Sequence, residues 1–246
     1  MNIIKLNSTQ FRIFENIFKA INELINVTRV SFDEDKLTIQ SMDTTNVAMC
    51  ILEIRKEFFN EGVKLEKDSL GLILNIFNQF LKRYKLNEWE VITINFEDMV
   101  TIKNDYKEFS TRTREVFEED KPIPTLEDGI IIKLDTSFFN DMLADVESSG
   151  GDKAICFKVK DKAFIVSNKN TDMNSCVEIE NKQIEIVKGF EGENESSYSL
   201  DYLKKMILKG EEKVEFNFKK DYPLRIKYEG EHWKLAYILA PRIAND

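Results

Sequence analysis

Asp35-Lys36-Leu37-Thr38-Ile39-Gln40-Ser41 and Asp161-Lys162-Ala163-Phe164-Ile165-Val166-Ser167 are the two stretches on which the reading of this chain turns. Their offset, 161 − 35 = 126, is close to half of the 246 residues. The same shift lays Cys50 on Cys176, Leu74 on Leu200, Asn75 on Asp201 and Phe77 on Leu203. Chance matches do not keep one register over such distances, so the chain reads as a duplicated unit of roughly 120 residues. Two copies are too few for a solenoid, and the expectation is two similar domains side by side.

Outward from the echo, hydrophobic spacing repeats the same order of elements in each half. Phe11, Phe14, Ile17, Phe18, Ile21, Leu24 and Ile25 predict a helix over 8–25, with Ser8 or Thr9 as N-cap. Strands are expected at 27–33, 36–41, 46–54 and 69–74, then a helix at 75–84 and strands at 89–95, 98–104 and 107–116. The second half predicts a strand at 129–134, a helix at 136–147 and strands at 153–159, 162–167, 173–179, 183–188 and 195–200. A helix at 201–209 and strands at 212–218, 223–229 and 233–239 complete it. Each half is therefore α+β, with antiparallel sheets on one side and two helices on the other.

Between the halves the texture changes. Phe117-Glu118-Glu119-Asp120-Lys121-Pro122-Ile123-Pro124-Thr125-Leu126-Glu127-Asp128 holds two of the four prolines and five acids, which suits an extended surface linker. The domain boundaries expected are 1–116, a linker at 117–128, and 129–246.

Composition sets outer bounds. Hydrophobic residues at 42% and charged residues at 32% describe a chain able to bury two cores. No apolar run approaches the ~20 residues of a membrane span. Met1-Asn2-Ile3-Ile4-Lys5 lacks a signal-peptide pattern, so an intracellular setting is expected: cytoplasm or nucleoid in an archaeon, nucleus in a eukaryote. Cys50, Cys156 and Cys176 form no CxxC pair and read as buried free thiols. A net charge of −9 opposes indiscriminate binding to a phosphate backbone, so any DNA contact must come from a few clustered cations or be enforced by shape.

Three segments carry a resemblance. Leu37-Thr38-Ile39-Gln40-Ser41-Met42-Asp43-Thr44-Thr45-Asn46-Val47 resembles the signature of DNA polymerase sliding clamps of the proliferating cell nuclear antigen (PCNA) family: Met-Asp, two small residues, one variable residue and Val. Tyr222-Pro223-Leu224-Arg225-Ile226-Lys227-Tyr228 and Leu235-Ala236-Tyr237-Ile238-Leu239-Ala240-Pro241-Arg242-Ile243 resemble the family's closing strands. Gly71 through Leu81-Lys82-Arg83 is similar to the second helix of archaeal members. The resemblance implies a duplicated DNA-clamp fold whose subunits close head to tail, three to a ring, around duplex DNA. It implies no reaction, cofactor or metal, and the partners it implies are DNA polymerase, clamp loader, flap endonuclease and DNA ligase. The resemblance also implies a homotrimer or a heterotrimer with other clamp subunits, and no membrane partner.

Carried onto these residues, the resemblance puts a pocket for a partner's hydrophobic plug at Met42, Val47, Ile123, Leu126, Pro223, Ile238, Ala240 and Pro241. Ile238 stands where many relatives have an aromatic residue, which reshapes the pocket. DNA-facing cations are expected on helix polar faces: Arg12, Lys19, Lys82, Arg83, Lys85, Lys204, Lys205 and Lys209. The third helix departs from this with Asp141, Asp145 and Glu147 and no Lys or Arg, and Asn78 and Gln79 stand where archaeal relatives often carry lysine. Subunit contacts are expected along 107–116 and 174–180, with Thr111, Thr113, Cys176, Val177 and Ile179 as markers.

Each of these residues also has a plainer reading as core, strand or solvated surface. Catalysis has little footing: the single histidine, His232, has no metal-ligand spacing around it, and no glycine loop cradles phosphate. Asp43 reads as a structural turn residue, and Glu118-Glu119-Asp120 and Glu191–Glu195 as solvated loops. The alternatives are a checkpoint-type clamp subunit of a heteromeric ring and a DNA-processing enzyme, which would need clustered acids for Mg²⁺.

Overall fold

The computed structural model describes residues 2–115, 121–148, 150, 153–160, 163–169, 174–179, 184–188 and 194–243. Outside them lie Asp161-Lys162 of the echo, the linker positions Phe117–Asp120, Val116 and Glu180 at the ends of the expected edge strands, and Glu191–Glu193. The chain divides into two compact units, one of Met1–Pro122 with Glu229–Leu235 and one of Ile123–Tyr228 with Ala236–Asp246.

In the first unit, β1 (Asn2–Leu6), β6 (Ile92–Phe96), β7 (Met99–Lys103) and β8 (Glu108–Arg112) form one antiparallel sheet in that order. A second run has the order β4 (Ala48–Arg55), β3 (Lys36–Met42), β2 (Val27–Phe32), β5 (Asp68–Ile73). Helices α1 (Ser8–Asn22) and α2 (Leu74–Leu81) supply the remaining layer. The apolar stripe on α1 is buried at Phe11, Phe14, Ile17, Phe18 and Ile21, as its spacing requires. Phe14 and Phe18 stack at 4.3 Å, and Phe77 of α2 meets Phe18 at 5.2 Å. These rings bind the two helices to each other and to Phe96 beneath them.

Several local expectations are corrected. The cap of α1 is Asn7, not Ser8 or Thr9: its side chain accepts the Gln10 amide at 2.9 Å while the Gln10 side chain accepts the Asn7 amide. Strand β1 precedes it, although its alternation of buried Asn2, Ile4 and Leu6 with half-buried Ile3 and Lys5 was legible. Asn78, which stands where archaeal relatives often carry lysine, is buried and donates to the Phe18 carbonyl at 3.0 Å, tying α2 to α1. Cys50 and Cys156 are buried, but Cys176 is exposed.

The second unit repeats the plan. Strands β12 (Asn174–Ile179), β11 (Ala163–Lys169), β10 (Ala154–Lys160) and β14 (Asn194–Ser199) form one sheet. The other run is β13 (Ile184–Lys188), β9 (Ile130–Asp135), β15 (Lys213–Phe218), β16 (Leu224–Glu229) and β17 (Trp233–Leu239), of which Ala236–Leu239 belong to this unit. Helices α3 (Thr136–Ser148) and α4 (Leu200–Lys205) pack as a pair. Phe157 sits at the centre, its ring 5.2–6.2 Å from those of Phe139, Phe164, Tyr198, Phe216 and Phe218.

The repeat survives in backbone detail. β5 and α2 begin at 68 and 74, β14 and α4 at 194 and 200, each at the offset of 126. An isolated bridge joins Gly71 to Arg114 in the first unit, and another joins Ser197 to Arg242 in the second. The pairing of β13 with β9 also has a remnant in the first unit, the single bridge between Ile3 and Lys64.

Candidate functional site

The Met-Asp-Thr-Thr-Asn-Val stretch joins β3 to β4, and its shape depends on one buried carboxylate. Asp43 is 7% exposed, and its Oδ1 accepts the amides of Val47 and Ala48, both at 2.8 Å. Its Oδ2 accepts the Thr45 amide at 3.3 Å and the Thr45 hydroxyl. The main chain closes the same turn, with the Asp43 amide donating to Ala48 at 2.8 Å and the Asn46 amide to Asp43 at 3.0 Å. Asn46 takes φ 58°, a left-handed conformation that Asn tolerates. Asp43 thus cages the loop, and Met42 and Val47 flank the cage half-buried.

The linker is held at both ends within its respective units. In the first, Gln40 donates to the Lys121 carbonyl and Lys121 Nζ to the Asn46 side chain, so the strap begins on the caged loop. In the second, Asp128 receives Lys188 at 3.0 Å, Asn217 at 3.2 Å and Arg225 at 3.3 Å. Glu127 pairs with Lys219 at 2.7 Å, and its amide donates to the Tyr222 hydroxyl at 3.1 Å. A side chain at Gly129 would meet the Phe218 carbonyl oxygen at 2.1 Å, so glycine permits this close docking. The Lys219 hydrogen bond holds the Glu127 carboxyl below its usual range. That contribution is complete above the ordinary carboxylate pKa and is lost as pH falls through the depressed value. Between these anchors Ile123 is 47% exposed and Leu126 half-buried. Pro223, Ala240 and Pro241 are half-buried, and Ile238 is buried at the end of β17.

The cations of the two helix pairs have different surroundings. Arg12 and Lys19 are exposed on α1, and Lys82 caps the C-terminal end of α2. Arg83 and Lys85 lie past that end, and Lys209 lies past α4, so these three are loop cations and not helical ones. Glu15 feels both Lys19 and Lys82, which brings the ends of α1 and α2 together; burial nonetheless raises its carboxyl pKa. In the second unit Lys204 is chelated by both oxygens of Glu147 on α3, each at 2.8 Å. Lys205 lies over the Tyr202 ring at 5.7 Å, and Asp201 pairs with Lys153 at 3.4 Å. Asp141 and Asp145 stand exposed on α3. The first unit therefore presents exposed cations with Glu15 beside them, while in the second Glu147 pairs directly with Lys204.

Strand β8, which carries Thr111, pairs along its length with β7 alone, with Thr111 facing Val100. Thr113 follows the strand, its amide bonded to the Asp98 carbonyl at 3.1 Å. Among the described residues strand β12 pairs only with β11, through Cys176 facing Ser167, Val177 facing Val166 and Ile179 facing Phe164. Among those residues β8 and β12 each leave one main-chain edge of their sheet free. His232 contributes its carbonyl to the Arg55 amide at 2.8 Å. Among the described residues no group of three or more His, Cys, Asp or Glu is placed to hold a metal ion, and no helix is long and apolar enough to cross a membrane.

A doubled α+β unit with paired helices and free sheet edges is the architecture of DNA sliding clamps. Residues 3–116 match the family model "Proliferating cell nuclear antigen, N-terminal domain". The chain is 27% identical to DNA polymerase sliding clamp 3 of Sulfurisphaera tokodaii over 236 residues, covering 93% of this chain and 95% of that protein. Among solved structures, Archaeoglobus fulgidus PCNA bound to the C-terminal region of FEN-1 superimposes with TM-score 0.85 at 23% identity, over 100% of both chains. A chain of the PCNA2–PCNA3 complex from Sulfolobus tokodaii superimposes with TM-score 0.82 at 23% identity, over 98% of this chain and 99% of that one. Nearly the whole chain is thus similar to DNA polymerase sliding clamps, and its first half matches the PCNA N-terminal domain.

Proposed function

We propose that this chain is one subunit of a three-membered ring that encircles duplex DNA inside the cell, with no reaction of its own. The ring holds DNA polymerase and other replication and repair factors at the template. The observation that carries the reading is the pair of free edges, β8 in the first unit and β12 in the second. One edge can accept the other from a neighbouring copy, and repetition of that heterologous contact closes a ring. Enclosure reconciles a net charge of −9 with work on DNA, because a linked ring does not need strong attraction to phosphate. Partners would be the polymerase, a clamp loader, flap endonuclease and ligase, each offering an apolar plug. Met42 and Val47 beside the caged loop would receive it, together with Ile123, Leu126, Pro223, Ile238, Ala240 and Pro241. Stimulation of a polymerase on primed circular DNA, lost when the circle is linearised, tests the function.

The acid-laden α3 favours a heteromeric ring with more basic subunits, or a homotrimer that grips DNA weakly. The FEN-1 and PCNA2–PCNA3 complexes of the structural relatives support the flap endonuclease and mixed-subunit parts of this reading. Glu147→Gln would release Lys204 from its chelate. An exposed ion pair of this kind contributes only about 0–1 kcal/mol, so folding should be nearly unchanged. DNA association should strengthen, and its dependence on salt should steepen by roughly one phosphate contact per chain. Unchanged affinity and salt slope would remove Lys204 from the DNA-facing surface.

A further inference from the structure

The connection from β5 to β6 is longer than the corresponding one in the second unit. From the end of β5 at 73 to the start of β6 at 92 there are 18 residues; from the end of β14 at 199 to the start of β15 at 213 there are 13. The fold therefore closes the same link with five residues fewer. The longer version ends in Lys82-Arg83-Tyr84-Lys85-Leu86-Asn87-Glu88-Trp89-Glu90-Val91. Among the described residues Trp89, at 86% exposed, is the most exposed of the large apolar side chains, and it makes no ring or cation contact.

Its exposure is built into the loop. The Asn87 amide donates to the Glu90 carboxylate at 2.7 Å, and the Glu90 amide returns to the Asn87 carbonyl at 3.2 Å, closing a turn that holds Trp89 at its tip. The base of the loop is fixed by buried Tyr84, whose hydroxyl donates to the Ile102 carbonyl at 2.6 Å. Beside it Lys107 donates to the Arg83 carbonyl at 3.4 Å. Among the described residues Lys82, Arg83 and Lys85 are exposed with no ion pair, although Glu15 acts on Lys82 and Glu108 on Tyr84; Glu90 is committed to the turn, and Glu88 is the remaining acid of the loop itself. An indole displayed beside exposed cations matches single-stranded nucleic acid, in which each base offers a free face and each linkage a phosphate. A blunt duplex hides those faces in its own stack.

We propose that Trp89 stacks on an unpaired base where single-stranded template meets duplex, with Lys82, Arg83 and Lys85 holding the adjoining phosphates. The inference rests on the clamp reading and adds a preference for the junction over plain duplex. Trp233, the other tryptophan, is 4% exposed, so quenchable emission reports Trp89.

Titration of the full chain with oligothymidylate, a blunt duplex and a duplex with a single-stranded tail tests it by fluorescence. Salt-sensitive quenching by the oligothymidylate and the tailed duplex, but not by the blunt one, is expected. Trp89→Ala should weaken binding to the tailed duplex roughly tenfold and leave blunt duplex unchanged, with Trp89→Phe retaining most of the preference. Equal response to tailed and blunt DNA, or a Trp89→Ala protein that still prefers tails, overturns the inference. Quenching by polymerase or clamp loader alone, with DNA silent, reassigns the loop to a protein partner and overturns it too. Polymerase stimulation on primed circles by the wild-type chain, alone and together with its expected co-subunits, separates the two claims. If stimulation is present and tail preference absent, only the stacking role falls; if stimulation is absent, the clamp reading itself falls.

Discussion

Asp43→Ala is expected to destabilise the first unit by about 2–4 kcal/mol and to weaken capture of a partner peptide more than tenfold. The stability figure follows from stranded donors: the Val47 and Ala48 amides lose a charged acceptor at 2.8 Å, and buried, unmatched donors cost about 1–3 kcal/mol each. Water can satisfy part of that deficit at the half-buried Val47, which keeps the sum below the maximum. Loss of the cage also frees Asn46 from its left-handed conformation and loosens Lys121, whose Nζ is held by the Asn46 side chain. Met42 and Val47 would then no longer be fixed beside the start of the linker. Asp43→Asn keeps one oxygen for the two amides and should recover most of the stability. The measurements are urea unfolding and calorimetry with a flap endonuclease C-terminal peptide. Equal stability of the alanine and wild-type proteins would mean the loop is held by something other than this carboxylate.

A larger loss is expected from Phe157→Ala in the second unit. The ring lies within 5.2–6.2 Å of five other aromatic rings, drawn from α3, β11, β14 and β15, so truncation opens a cavity that no single neighbour can fill. Truncations of buried aromatics cost about 3–5 kcal/mol. Phe157→Leu, which keeps most of the volume, should cost less than about 1.5 kcal/mol. Circular dichroism follows both units, whereas Trp89 and Trp233 both belong to the first. The dichroism transition should therefore shift to lower urea while the tryptophan signal lags behind it. A loss below about 1 kcal/mol would show that this core repacks around the gap.

The duplication was legible because the shift stays within one residue from β2 to α2, at 127 for the starts of β2 and β3 and 126 for those of β4, β5 and α2. The shift drifts elsewhere, to 128 between β1 and β9 and to 121 between β6 and β15, which is why the echo fades at the ends. Helix stripes such as Phe11, Phe14, Phe18 and Ile21 were readable from period alone. Asn78 was not, because its polarity suggests solvent, and only packing against α1 reveals the carbonyl of Phe18 as its partner. The chelation of Lys204 by Glu147 was equally hidden, since 57 residues separate them and only the α3–α4 contact brings them together. The signature around Asp43 announced itself in sequence, but the number of amides served by one carboxylate required the folded loop. Helix lengths were overestimated at α2 and α4 because apolar spacing continues through Tyr84 and Leu208, which are buried after the helices have ended.

The central claim is linkage: the chain remains on DNA because it is threaded. Loading the labelled protein, with a clamp loader and its expected co-subunits, onto a singly nicked circular duplex and then cutting that circle measures this directly. Retention on the closed circle in high salt, followed by release once an end is available, is the predicted result. Equal retention before and after cutting, or equal loss at the same salt from both forms, would contradict it.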